Sequence, residues 1–299
     1  MNKLLSMLLL SLSLSAANAA TVSLESPVGK VVVEDGVSRI AVLDFAALDT
    51  LNSLGGADKV IGLPLSAMVP DQLSAFKNEK MIDFGTVKEV NMEKLAATKP
   101  QLVIIGGRLA QQGKTIGEIA PTYQFSLDME NYWASFREQT MNIARLTGKE
   151  QLAEQKLSDL ESKIANVEQK AKGKTALIIM VNNGKMAAFG SRSRFGIIHD
   201  SLGFLPIDPS IKVGTHGQGI SHEFITEKNP DYLFVIDRAA AVSNKTGQAQ
   251  QTLDNDIVKR SNAFKNGNIV YLSARNWYLM NGGLSAMGEM IDEVAEAVK

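Results

Sequence analysis

Hydrophobic positions along the chain follow two patterns. Ile40-Leu43, Val60-Leu63, Leu102-Ile105, Ala176-Met180, Tyr232-Ile236 and Ile269-Leu272 are short, β-branched apolar runs of strand length. Between several of them lie amphipathic stretches with helical spacing, as in Ala46-Leu54, Asn91-Thr98 and Ser221-Lys228. Strands alternating with such helices predict an α/β architecture. The glycine pairs Gly55-Gly56 and Gly106-Gly107 mark element ends.

One stretch departs from this alternation. From Phe136 to Ala171 there is no proline, and Ala153, Leu157, Leu160, Ile164 and Val167 recur at helical spacing with only Gly148 as an interruption. This predicts a long helix, in one piece or two. The expected fold is α/β, with two Rossmann-like lobes built on central sheets, joined by one long rigid helix, and a ligand cleft between them. Boundaries are expected at 20–140 for the first lobe, 141–172 for the linking helix and 173–299 for the second lobe. The competing arrangement is one continuous α/β domain carrying a long surface helix.

An internal repeat favours two lobes. Met92-Glu93-Lys94-Leu95 opens a segment that runs through Lys99-Pro100 and Leu102-Ile105 to Arg108. His222-Glu223-Phe224-Ile225 opens another that runs through Asn229-Pro230 and Tyr232-Ile236 to Arg238. Glutamate, proline and arginine keep the same spacing in both copies, and each proline stops a helix before a strand. Ligands of open α/β sheets bind beyond the carboxyl ends of strands, which is where Arg108 and Arg238 fall. A guanidinium there suits an anion with delocalised oxygens. The alternative is a local partner, such as Asp237 for Arg238. Glu93 and Glu223 sit at the other ends of the repeat units, expected far from the ligand. They read either as helix-dipole partners or as a two-point dock for a membrane partner.

Candidate metal ligands are few. His216 lies between glycines in Val213-Gly214-Thr215-His216-Gly217-Gln218-Gly219, a pattern expected to form an exposed loop. Tyr278, in Arg275-Asn276-Trp277-Tyr278-Leu279, reads either as a phenolate for a hard cation or as a core aromatic beside Trp277. His199, flanked by apolar residues, is expected to be structural, and His222 to face solvent. Ser191-Arg192-Ser193-Arg194-Phe195-Gly196 adds two arginines to a loop, and no role follows for Arg192.

Composition narrows the choice. The 299 residues include no cysteine, which excludes disulfides, thiolate metal sites and a lipidated cysteine. With 31 basic and 32 acidic residues the net charge is −1, and no nucleic-acid partner is expected. Lys3, the apolar run Leu4-Leu14 and Ala17-Asn18-Ala19 have the layout of a cleavable signal peptide, with a mature chain from Ala20. An unlipidated export product points to a Gram-negative periplasm. One histidine and one tyrosine are too few for a protein-only zinc or manganese site. They suffice for a ferric ion already wrapped by an organic chelator. A ferric bis-catecholate is a monoanion and the tris-catecholate a trianion, and arginines balance that charge.

Several stretches carry a family resemblance: Val42-Leu43-Asp44-Phe45-Ala46-Ala47-Leu48-Asp49-Thr50-Leu51, Phe189-Gly190 with Ser193-Arg194-Phe195-Gly196-Ile197-Ile198-His199-Asp200, Lys212-Val213-Gly214-Thr215-His216-Gly217, Glu227-Lys228-Asn229-Pro230-Asp231-Tyr232, and Trp277-Tyr278-Leu279. Across essentially the whole mature chain the sequence resembles class III periplasmic binding proteins of iron-siderophore and cobalamin importers. It is most similar to the catecholate (CeuE- and VctP-like) type. The resemblance implies that His216 and Tyr278 complete the iron shell of tetradentate siderophores, and that Arg108, Arg194 and Arg238 surround the catecholate oxygens. It implies that Glu93 and Glu223 dock onto arginines of an inner-membrane ABC permease dimer with its ATPase. The transported ligand is then a ferric siderophore, with no intrinsic cofactor and a monomeric protein. Hydroxamate siderophores, haem and cobalamin are the alternative cargoes. The chain differs from the family pattern at Gln218-Gly219, just after His216. It carries no G-x-S-x-G elbow, Walker A loop or H-E-x-x-H motif, so it is not read as an enzyme.

Overall fold

The computed structural model of the chain describes residues 20–26, 29–214, 216–243 and 245–298. The expected signal peptide, 1–19, lies outside them. An antiparallel pair, β1 (Thr21–Ser26) and β2 (Gly29–Glu34), precedes the first sheet. That sheet contains β3 (Ile40–Val42), β4 (Val60–Leu63), β5 (Ile82–Asp83), β6 (Leu102–Gly106) and β7 (Thr122–Phe125). All five strands are parallel, in the spatial order β5-β4-β3-β6-β7. Helices α1 (Phe45–Ser53), α2 (Met92–Thr98) and α3 (Gly113–Gly117) connect them.

Two helices lead onward, α4 (Tyr132–Thr147) and α5 (Glu150–Ala171). The expected single helix is therefore two, folded back on each other at Gly148, whose φ of 63° is left-handed and costs little without a Cβ, so that Arg137 of α4 meets Glu154 and Glu161 of α5. The second sheet contains β8 (Thr175–Asn182), β9 (Lys185–Phe189), β10 (Leu205–Pro206), β11 (Gln218–Ile220), β12 (Tyr232–Asp237) and β13 (Ile269–Tyr271). Its order is β11-β9-β8-β12-β13, with β10 pairing Thr175 and Ala176 of β8. This sheet is mixed, because β9 runs antiparallel to both β8 and β11. The remaining helices are α6 (Ile197–Asp200), α7 (His222–Lys228), α8 (Arg238–Ser243), α9 (Gln248–Leu253), α10 (Asn262–Lys265), α11 (Ala274–Tyr278) and α12 (Leu284–Ala297).

The continuous apolar runs have a simple cause: the central strands are buried on both faces. In β6, Leu102 and Ile104 face one core, whereas Val103 and Ile105 face another. In β12, Tyr232, Phe234 and Ile236 likewise separate from Leu233 and Val235. The first face of each sheet belongs to the same core, which continues through α1, α4, α5 and α12. Two lobes thus share one hydrophobic interior.

A buried polar cap locks that interior across the chain. Asp49 of α1 accepts the Ser285 and Ala286 amides at 2.9 and 3.1 Å, the first turn of α12, and also the Ser285 hydroxyl. Thr50 Oγ1 accepts the Leu284 amide at 3.1 Å. A Cβ at Gly283 would lie 2.5 Å from the Asp49 carboxylate, so glycine permits the approach. Burial pushes the Asp49 carboxyl above its usual range, against the pull of the Ser285 hydroxyl and the helix amides. An amide side chain accepts the same helix amides, and the Ser285 hydroxyl can reverse to accept from it. Asp49→Ala should therefore lower the unfolding free energy by about 2 kcal/mol, and Asp49→Asn by less than about half that, in urea titrations.

Candidate functional site

The repeat seen in the sequence is a structural repeat. Helices α2 and α7 are capped at their starts by Asn91 and Ser221. Both end on left-handed residues, Lys99 (φ 48°) and Asn229 (φ 53°), which turn the chain into Pro100 and Pro230. β6 and β12 follow, each next to last in its sheet. Arg108 and Arg238 then emerge just past the carboxyl ends of these strands.

Buried aspartates shape the same edges. Asp44, following β3, accepts the Ala46 and Ala47 amides at 2.9 and 3.1 Å and begins α1. Burial raises its carboxyl pKa, and the charge of Arg108 opposes that rise. Asp237 accepts the Ala239 and Ala240 amides at 3.0 and 3.2 Å, and Ala249 at 3.0 Å. Asp237 therefore starts α8 and α9 through backbone amides, and the partners of Arg238 lie elsewhere.

Those partners converge on Tyr278, at the end of α11. Arg238 Nε donates to the phenol oxygen at 3.0 Å, and Nη1 to Asn182 Oδ1 at 3.1 Å. Arg108 Nη2 donates to the Tyr278 carbonyl at 2.8 Å, and Arg194 Nη2 donates to the same oxygen. All three guanidinium groups also face the Tyr278 ring, at 5.5, 4.3 and 5.5 Å from its centroid for Arg108, Arg194 and Arg238. Arg194 lies against Phe195 as well, and its carbonyl accepts from Asn281 Nδ2 at 2.9 Å. Asn281 in turn accepts from the Tyr132 hydroxyl at 2.5 Å.

Charge accumulates here. Burial and the charge of Arg108 lower the Arg194 pKa to about 10, which leaves it protonated at neutral pH. Burial opposes ionisation of the Tyr278 phenol. The hydrogen bond from Arg238 and the charges of Arg194, Arg238 and Arg108 outweigh it and hold the phenol below its ordinary value. The surrounding cations thus favour the ionised form of Tyr278 relative to an ordinary phenol.

The arginines and Tyr278 line the space between the sheets. A cleft of about 610 Å³ is bordered by Arg108, Arg194, Tyr278 and Asn281, with Phe125, Leu127 and Met129 as apolar wall. That volume is typical of a small-molecule site. Arg238 faces a neighbouring cavity of about 230 Å³, and Arg108 and Tyr278 border both. Among the described residues there is no group of three or more His, Cys, Asp or Glu side chains able to hold a metal ion.

His216 is not part of this gathering. It is exposed, whereas Val213 and Gly214 of the same loop border the cleft. The base of the loop is fastened where Gln218 Oε1 accepts the Lys212 amide at 3.1 Å. His199 Nδ1 lies 3.0 Å from the Phe204 carbonyl, a structural contact as expected. His222 differs from expectation. It is half-buried, with Nε2 2.9 Å from the Thr252 carbonyl, because α9 packs beside the start of α7.

Glu93 and Glu223 are exposed in the first turns of α2 and α7, but not far from the strand ends. A connecting helix runs back along its sheet, so its start adjoins the carboxyl edge. The Asn91 amide bonds Phe84 just past β5, and Gln101 bonds Arg39 just before β3. Both glutamates therefore lie toward the same side of the sheets as the arginines.

Sequence reasoning missed Asp44, Asn281, Asn182, Tyr132 and the 125–130 segment at the site. Of these only Asp44 left a signal, a helix-capping residue directly after an apolar run.

Two sheets turned toward one cleft, with cationic groups at their strand ends, define a ligand-capturing protein of the two-lobed kind. The chain belongs to the family of periplasmic binding proteins (Peripla_BP_2), whose pattern matches residues 40–275. It is 42% identical over 263 residues to the petrobactin-binding protein YclQ of Bacillus subtilis (strain 168), covering 87% of this chain and 82% of that one. The crystal structure of YclQ superposes with a TM-score of 0.90 at 39% identity, over 94% of this chain and 99% of that one. The ferric-anguibactin-binding protein FatB of Vibrio anguillarum (strain ATCC 68554 / 775) is 31% identical over 282 residues, 91% of this chain and 85% of that one. The periplasmic catecholate-siderophore binding protein VctP of Vibrio cholerae gives a TM-score of 0.88 at 30% identity, over 93% and 100% of the two chains. These relatives are binding proteins rather than enzymes. Among the described residues no helix is long and apolar enough to cross a membrane.

In an alkaline absorbance titration, Tyr278 should ionise before Tyr123, Tyr132 and Tyr271, whose phenols burial raises. Tyr278→Phe should delete that early step. Arg238→Gln should move it to higher pH while changing unfolding free energy by no more than about 1 kcal/mol, since the helix cap at Asp237 remains.

Proposed function

We propose that this chain captures a ferric catecholate siderophore and delivers it to an ABC importer. The observation that carries this reading is the convergence of Arg108, Arg194 and Arg238 on Tyr278 between the two sheets. Guanidinium forks match the paired oxygens and negative charge of a ferric catecholate. The names of the relatives, which bind petrobactin, ferric anguibactin and catecholate siderophores, support the same chemistry. The ferric siderophore is cargo, and the protein needs no cofactor of its own.

A tetradentate siderophore leaves two positions open on iron. The Tyr278 phenolate fills one. His216 fills the other after its loop, flanked by Gly214 and Gly217, folds toward the cleft. Ferric complexes of a bis-catecholamide and a tris-catecholamide test this by fluorescence titration. His216→Ala with Tyr278→Phe should weaken the bis-catecholamide by more than about tenfold and the tris-catecholamide by less than about threefold, because a hexadentate chelator already fills the metal. Equal losses for both remove the metal role. A Soret change with haem, and no response to catecholates, would reassign the cargo.

On this reading residues 1–19 direct export to a Gram-negative periplasm, where the protein acts as a monomer. Glu93 and Glu223 meet arginines of the permease dimer, one from each lobe. Their matched positions beside the cleft side of the sheets suit that role. Glu93→Arg with Glu223→Arg should leave ferric catecholate affinity unchanged and abolish uptake in cells, since like charges then face each other. Normal uptake at native expression would return both glutamates to a helix-dipole role.

A further inference from the structure

The loop between β9 and α6 carries a fourth guanidinium. Arg192 borders the 610 Å³ cleft, and its backbone is left-handed at φ 54°. That conformation is uncommon for a residue with a side chain. It is held from beneath, where Asp200 Oδ2 accepts the Arg192 amide at 2.7 Å. A Cβ at Gly196 would lie 2.5 Å from the same oxygen, so glycine is what admits the Asp200 carboxylate. The loop thus fixes where the Arg192 side chain departs.

Opposite it stands Glu130, in the turn between β7 and α4, which also borders the cleft. Arg192 Nη1 and Glu130 Oε2 are 3.3 Å apart, one from each lobe, with side chains 61% and 62% exposed. Solvent and salt screen such a pair, and it contributes little net free energy. Arg108, Arg194 and Arg238 are instead tied to Tyr278, in half-buried surroundings. Arg192 can therefore trade its exposed carboxylate for ligand oxygens at small cost.

We propose that Arg192 is a specificity-determining residue that leaves Glu130 to bind anionic oxygens of ligands large enough to extend away from Tyr278. Glu130 is its counterweight: a trianionic complex outcompetes one carboxylate, and a monoanionic complex held at Tyr278 does not. This rests on the reading of the cleft as a ferric catecholate site. It adds a preference by charge and size that the three other arginines do not supply.

The test compares dissociation constants of the ferric tris-catecholamide and bis-catecholamide complexes at low and high sodium chloride. Arg192→Gln should weaken the trianion about five- to tenfold and the monoanion less than about twofold, and added salt should narrow the difference. Arg192→Lys should keep most of the preference. Glu130→Gln should tighten the trianion by about two- to threefold, because Arg192 no longer leaves a charged partner. Both side chains are exposed, so melting temperatures should hold. If the wild type binds both complexes and Arg192→Gln weakens them equally or not at all, Arg192 is only a contact between lobes and the inference is overturned. If the wild type binds neither, the catecholate reading fails, and this inference with it.

Discussion

Three guanidinium groups repel one another, and Tyr278 is what lets Arg108, Arg194 and Arg238 gather at the cleft. Its ring presents the negative face of an aromatic quadrupole, its carbonyl accepts from two of the arginines, and its phenol accepts from the third. Charge is still in excess. The lowered pKa of Arg194 reports burial and crowding by Arg108, and the lowered pKa of Tyr278 reports the same cations from the other side. A site with surplus, half-desolvated positive charge favours a delocalised anion.

Such an arrangement requires α11 to be held firmly. The residue before the hub, Trp277, is fully buried and donates Nε1 to Glu293 of α12 at 2.8 Å. Asn276 donates to Glu289 at 2.7 Å and accepts from Gln72 at 3.0 Å. Arg275 meets Asp71 at 2.5 Å. Asp71 and Gln72 come from the first lobe, so α11 is clamped from both sides. The Asp49 cap on α12 extends the same lock, and the shared core beneath ties both sheets to it.

Much of this was written locally. Apolar blocks such as Val60–Leu63 fold as the strands they predict because both faces of each central strand are buried. The paired Glu-Pro-Arg segments have fixed spacing because each must stop a helix, turn at a left-handed residue and enter a strand. Spacing alone also located Arg108 and Arg238 at strand ends. The interruption at Gly148 was visible too, since a left-handed helix end calls for glycine.

What local pattern could not carry is direction and distance across the chain. Periodicity says that Glu93 opens a helix, but only the parallel sheet shows that this end returns to the cleft side. Asn281, Asn182 and Tyr132 are ordinary polar residues whose task depends on partners more than 40 positions away in each case. The partner of Arg238 was legible nowhere near it: the adjacent Asp237 is consumed by helix amides, and Tyr278 arrives from another element. By itself the sequence determined the central strands, the helices of the repeat, the twofold plan and the cationic residues at strand ends, because these follow from burial and backbone stereochemistry. Tertiary structure alone decided that three arginines share one tyrosine and that His216 stands apart from them, because long-range hydrogen bonds and mutual charge are set only when distant segments pack.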